Sequence, residues 1–144
     1  MGRQCVLSLA LAVATLAVVG GVVLSASKTC LETDCIGTRE ADTLTAGNDN
    51  THHIAGLEGN DIITGGGFHD TIYGDEGNDT INDDACIDID VIYGDEGNDT
   101  IDVREDPAGA DGDIVDCGPG KKDKVFFDVG LDTVTRCEIK NPGL

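Results

Sequence analysis

Aliphatic residues recur along this chain at a period close to nine, nearly all of them two places after an acidic one. The column is Leu44, Ile54, Ile63, Ile72, Ile81, Ile92, Ile101, Val115, Val125 and Val134, with spacings of 10, 9, 9, 9, 11, 9, 14, 10 and 9. Two places ahead stand Asp42, His52, Asp61, Asp70, Asp79, Asp90, Asp99, Asp113, Asp123 and Asp132, so nine of the ten are Asp. This period does not fit a helical face, and it is too regular for ordinary loops. The stretches 71–81 (TIYGDEGNDTI) and 91–101 (VIYGDEGNDTI) agree at ten of eleven positions and start twenty residues apart. An internal repeat fixes the architecture before any single residue is argued.

The chemistry of one copy predicts its shape. Its first half is rich in glycine, which permits positive φ and hence a tight turn. Its second half, D-T-I-Y or D-I-I-T, is a short β-prone segment with one aliphatic side chain pointing inward. Two copies make a coil of about eighteen residues with a strand on each side. Stacked coils would set strands about 4.8 Å apart in parallel sheets, with the aliphatic column as a narrow core. Residues 83–89 and 103–112 lengthen the period, and the second contains Pro107. Both read as loops bulging from the coil.

Four copies carry the fullest pattern: 56–64 (GLEGNDIIT), 65–73 (GGGFHDTIY), 74–82 (GDEGNDTIN) and 94–102 (GDEGNDTID). They resemble the calcium-binding nonapeptide of the RTX, or haemolysin-type, family, G-G-x-G-x-D-x-U-x with U a large aliphatic. The resemblance runs from about Cys35 to Ile139 and is strongest over 56–82 and 94–102. It implies an all-β fold, a right-handed parallel β-roll of about five coils, with calcium between turns stacked one coil apart. Carried onto this chain, the side-chain ligands are Asp61, Asp70, Asp79, Asp90 and Asp99. The remaining oxygens come from the turns Gly56, Glu58, Gly59; Gly74, Asp75, Glu76, Gly77; and Gly94, Asp95, Glu96, Gly97. Calcium takes six to eight hard oxygen ligands, which carboxylates and turn carbonyls supply. Consecutive copies alternate between two edges of the roll. One edge stacks three turns ending Glu-Gly-Asn-Asp, and the other holds His52, Asp70, Asp90 and Asp113, so the first edge is expected to bind better. The family's toxin and protease domains have no counterpart here, so no lytic activity is carried over.

Composition narrows the reading further. There are 28 acidic and 9 basic residues, a formal charge of −19. That argues against a nucleic-acid partner, which needs basic patches. Aromatics are only 3% and Trp is absent, so the core is thin. Small scaffolds with thin cores lean on metals or disulfides. Residues 6–26 form an uncharged apolar run after Arg3, which reads as a secretory signal ending near Ser27. At 21 residues the run also has the length of a membrane anchor, the second choice. The domain reading is therefore 1–27 leader and 28–144 roll, strongest over 56–102 and degenerate over 113–139. Either route places the repeats outside the cytoplasm. Five cysteines follow the leader: Cys30, Cys35, Cys86, Cys117 and Cys137. Val115 and Val134 should stack on adjacent coils, which brings Cys117 and Cys137 within disulfide range.

Other chemistries fit less well. His52, His53 and His69 are read as exposed residues of degenerate turns, not zinc ligands. Residues 88–92 lack the alternating ligands and flanking helices of an EF-hand. No Ser follows Ser27, and the glycine turns lead into strands, not into helix N-termini that cradle phosphate. The chain therefore reads as a non-enzyme with no small-molecule substrate. The alternative reading is a cell-surface or matrix adhesion spacer, with the roll as scaffold for a partner.

Overall fold

A computed structural model describes residues 18–19, 22–23, 27–83, 88–105 and 111–143. The leader reading falls almost wholly outside these residues. Within that stretch, β1 (Val18–Val19) and β2 (Val22–Val23) pair antiparallel. No helix among the described residues is long and apolar enough to cross a membrane.

From Ser27 onward the chain winds as a right-handed parallel β-solenoid. One sheet stacks seven strands: β3 (Ser27–Cys30), β5 (Thr43–Ala46), β7 (Ile62–Thr64), β9 (Thr80–Asn82), β11 (Thr100–Asp102), β13 (Lys124–Phe127) and β15 (Ile139–Pro142). The other stacks six: β4 (Asp34–Ile36), β6 (His53–Ala55), β8 (Thr71–Tyr73), β10 (Val91–Tyr93), β12 (Ile114–Asp116) and β14 (Thr133–Thr135). Each strand pairs with the strand two places on, in parallel. The described residues thus hold six coils and a closing strand, more than the five that the repeat suggests. The extra turns come from β3, β4 and β15, where the Asp-x-aliphatic signature is missing but the strands still pair.

Register follows the aliphatic column. Leu44, Ile63, Ile81, Ile101 and Val125 face one another along the first sheet. Cys35, Ile54, Ile72, Ile92, Val115 and Val134 do so along the second. A strand that slipped by one residue would turn its aliphatic out and its polar neighbours in, so the column locks the register. Every member from Leu44 to Val125 is fully buried, and only Val134, in the last coil of its sheet, is half-buried. The lengthened copies do not disturb this order: Ile72 still faces Ile92, and Ile101 still faces Val125. Of the extra residues, 84–87 and 106–110 lie outside the described residues.

Because the copies are near-identical, like residues also stack on the surface. Tyr73 and Tyr93 lie with ring centroids 5.0 Å apart and planes 8° from parallel. The amide of Asn60 accepts from the Asn78 main chain at 2.7 Å, and Asn78 accepts from Asn98 at 2.9 Å. Such same-face pairs each add a fraction of a kcal/mol, about 0.2–1. Disulfides join Cys30 to Cys35 and Cys117 to Cys137, with Cα–Cα separations of 5.4 and 5.2 Å. The second is the pair that the stacking of Val115 on Val134 predicts; the first was left open by the sequence. Cys86 lies outside the described residues.

Ile81 sits between Ile63 and Ile101 with no exposed surface. Ile81→Ala should cost about 2–5 kcal/mol in chemical denaturation, through lost burial and the cavity left behind. Val134→Ala, at the half-buried end of the column, should cost less than half as much.

Candidate metal centre

The turns that enter β5, β7, β9, β11 and β13 line one edge of the roll; those that enter β6, β8, β10, β12 and β14 line the other. On both edges the aspartates form a ladder. On the first, Asp42 N–H donates to Asp61 Oδ1 at 2.6 Å, Asp61 to Asp79 at 2.7 Å, Asp79 to Asp99 at 2.8 Å and Asp99 to Asp123 at 2.9 Å. On the second, His52, Asp70, Asp90 and Asp113 donate in turn to Asp70, Asp90, Asp113 and Asp132. Each carboxylate thus satisfies a main-chain N–H one coil back, at the point where the strand hydrogen bonds have not begun. Hydrogen bonds to a charged acceptor are roughly twice as strong as neutral ones.

On the first edge Asp42 spends its Oδ2 on the Thr38 N–H, but the three carboxylates that follow it each keep one oxygen unused. Oδ2 of Asp61, Asp79 and Asp99 is buried and has no hydrogen-bond partner, although each residue is about 99% buried or more. Each such oxygen lies over the first glycine of its own turn. An ideal Cβ on Gly74 would sit 2.6 Å from both Asp79 Oδ2 and the Gly94 carbonyl oxygen. A Cβ on Gly94 would meet Asp99 Oδ2 at 2.7 Å and the Cys117 oxygen at 2.6 Å. At Gly56 the partners are Asp61 Oδ2 and the Gly74 oxygen, the latter at 2.6 Å. A carboxylate oxygen and a carbonyl oxygen from the next coil therefore converge at each of these three rungs.

The glycines serve differently from the sequence expectation. Gly56, Gly74 and Gly94 do not have positive φ; they are glycine because oxygens crowd where a Cβ would be. Positive φ falls on the next residue, Leu57 at 80°, Asp75 at 66° and Asp95 at 60°, and on Gly59, Gly77 and Gly97. At those last glycines a Cβ would also collide with the preceding coil: the Gly59 oxygen abuts Gly77, and the Gly77 oxygen abuts Gly97. The Glu58, Glu76 and Glu96 main chains pair as parallel bridges across the three coils, while their side chains are exposed.

The second edge is built otherwise. Asp70 has both oxygens engaged, Oδ1 by His52 N–H at 2.6 Å and Oδ2 by Gly66 N–H at 3.0 Å. Asp83 stands where the first edge has glycine, and its carboxylate lies 2.6 Å from an ideal Cβ on Gly65 and close enough to Asp90 to influence its titration, while Asp90 Oδ2 is buried without a hydrogen-bond partner. Phe68, at φ 71°, replaces the fourth-position glycine. His53 and His69 are exposed, as expected, but His52 is not. It is fully buried, with Nδ1 3.4 Å from Asp70 Oδ1. It stands in the Asp column, whose position faces inward whatever residue fills it, and so the reading of His52 as an exposed turn residue is overturned.

Burial raises these carboxyls well above their ordinary range. Desolvation lifts Asp79 and Asp99 to about 7, and their neighbours in the ladder add repulsion. Asp113 rises to about 7 and Glu105 to about 8, again chiefly by desolvation. Asp61, Asp70 and Asp90 are raised for the same reason. Asp116 moves the other way, held down by its hydrogen bonds to Arg136. Among the described residues no three His, Cys, Asp or Glu side chains converge on one point. A cation on the first edge would take one carboxylate oxygen per turn and draw the rest from main-chain carbonyls. Unpaired, desolvated anionic oxygens beside carbonyl oxygens fit a hard divalent ion such as calcium.

Residues 55–82 and 88–106 match the family described as the RTX calcium-binding nonapeptide repeat, in four copies. No curated protein and no solved structure matches the chain. Over those residues the chain carries an RTX-type nonapeptide repeat, wound as a parallel β-solenoid.

The raised pKa values set a pH dependence for the metal-free chain. In the unfolded chain these carboxyls titrate near 4. The fold retains their protons up to about 7, so it binds more protons than the unfolded chain between those limits and loses stability as pH rises through them. In excess chelator, β-structure read by circular dichroism should therefore be greater at pH 5 than at pH 8.

Proposed function

We propose that this is an exported calcium-binding protein in which calcium, held between stacked turns of the first edge, is required for the roll to fold at neutral pH. The observation that supports this most is the column of buried, unpartnered Oδ2 atoms on Asp61, Asp79 and Asp99, each beside a carbonyl of the next coil. Side-by-side carboxylates in a chain of formal charge −19 repel, and the thin aliphatic column offers little against them. An ion that binds only the folded form adds about 2.7 kcal/mol per site at a hundred times its dissociation constant. Two sites follow directly, Asp61 with the turn at Gly74–Gly77 and Asp79 with the turn at Gly94–Gly97. The second edge binds more weakly, because Asp70 already spends both oxygens on His52 and Gly66, and the buried Oδ2 of Asp90 has the Asp83 carboxylate near it where the first edge has a glycine cradle. Export suits the two disulfides, which persist in oxidising compartments. The leader at 1–27 provides the route, and extracellular calcium suffices to fill sites of modest affinity. The module is a binding scaffold and not a catalyst.

Titrating calcium into the chelated protein at pH 7.5 should convert a largely unfolded circular dichroism spectrum into one rich in β-structure. The same spectrum in chelator and in millimolar calcium would overturn the reading. Asp79 lies in both stacked pairs, accepting from Asp61 and donating to Asp99. Asp79→Ala should therefore raise the calcium midpoint more than Asp70→Ala; equal shifts would show that the two edges are equivalent.

A further inference from the structure

The column of oxygen pairs on the first edge does not stop where the repeat stops. Above the turn 94–99 lies the turn 117–123, CGPGKKD, which has no nonapeptide signature and falls outside the family match. Its first carbonyl, from Cys117, nonetheless occupies the place of the Gly74 and Gly94 carbonyls in the coils below. It lies 2.6 Å from an ideal Cβ on Gly94, as the Gly94 oxygen does from one on Gly74. Facing it is Asp99 Oδ2, buried, with no hydrogen-bond partner, on a residue with no exposed surface.

We propose that Asp99 and the Cys117 carbonyl form a third cation site for calcium, and that the Cys117–Cys137 disulfide is its positioning element. The inference rests on the calcium reading given above. In the lower coils the repeat itself places the carbonyl, through Glu58, Glu76 and Glu96 bridged across three turns. The turn 117–123 has no such bridge and is one residue longer than the turn 94–99. Other constraints hold Cys117. Its N–H donates to Thr135 O at 3.1 Å, and its side chain is tied to Cys137, with the Cα atoms 5.2 Å apart. Gly118, at φ 88°, turns the chain so closely against Asp95 that a Cβ would lie 2.5 Å from the Asp95 oxygen. Arg136, beside Cys137, pairs with Asp116, beside Cys117, at 2.7 Å through its Nη2. Lys121 and Lys122 are exposed, and the site draws on the far end of their turn.

Calcium stoichiometry tests this, by calorimetry on the oxidised protein at pH 7.5. Wild type should take up at least three ions. Cys117→Ser with Cys137→Ser should take up one fewer, or bind one of them about tenfold or more weakly. Cys30→Ser with Cys35→Ser, at the opposite end of the roll, should keep the wild-type count. Asp99→Asn keeps both disulfides and an Oδ1 acceptor for the Asp79 N–H but removes the charge from Oδ2, so it too should lose one ion while still folding in calcium. Unchanged binding in the Cys117/Cys137 variant, or a wild-type count of two, would overturn the third site and leave the calcium reading standing. No calcium uptake by wild type would overturn the calcium reading itself.

Discussion

The hydrogen bond from each aspartate N–H to the carboxylate one coil on is the constraint from which the rest of this structure follows. It occurs on both edges and continues into coils where little else of the repeat survives, as between Asp99 and Asp123 or Asp113 and Asp132. It places a short carboxylate, buried or half-buried and pointing along the stack, at the entry to each strand from β7 to β14. A buried charge is costly unless compensated. One oxygen of each carboxylate is answered by the ladder; the other is left to whatever the local turn provides. Scaffold and ligand chemistry are therefore the same residues, and the fold cannot be stabilised without deciding what the second oxygen does.

The two edges decide it differently, and the difference traces to the first position of the turn. On the first edge this is glycine four times running, Gly37, Gly56, Gly74 and Gly94, and the missing Cβ leaves room where carboxylate and carbonyl oxygens meet. On the second edge the corresponding residues are Gly65, Asp83 and Val103. Asp83 fills the space beside Gly65 with its own carboxylate, next to Asp90, whose carboxyl is raised chiefly by burial. Val103 is fully buried and joins the apolar core. Two edges with the same ladder thus diverge because of what stands five or more residues before each aspartate.

Much of this was legible in the sequence. The period gave the coil, the aliphatic column gave the register, and alternation of copies gave the two edges, because each is a property of spacing alone. What could not be read depends on how coils approach one another. Glycine at the first position looked like a conformational requirement and is a steric one, a distinction visible only with the neighbouring carbonyl in place. His52 looked like an exposed lapse in the repeat; its burial comes from the ladder position, which faces inward regardless of the side chain. Gly66 N–H satisfying Asp70 Oδ2 depends on a turn with three consecutive glycines taking a path different from that of its neighbours. The first and last coils were under-counted because β3, β4 and β15 pair without the signature.

Those end coils also explain where the disulfides fall. A solenoid has two exposed ends, and here they are the places where the repeat is poorest. Closing loops of 5 and 20 residues stabilises a fold by about 2 and 3 kcal/mol in the chain-entropy account. That is the same scale as one metal site at a hundredfold excess over its dissociation constant, about 2.7 kcal/mol. The centre of the roll has good turns, Gly56 to Asp99, and no described disulfide; the ends have disulfides and poor turns. On the calcium reading, covalent and ionic cross-links are therefore distributed in complement along one axis. They meet at a single point, the Cys117 carbonyl, where the last well-formed turn faces the first stapled one.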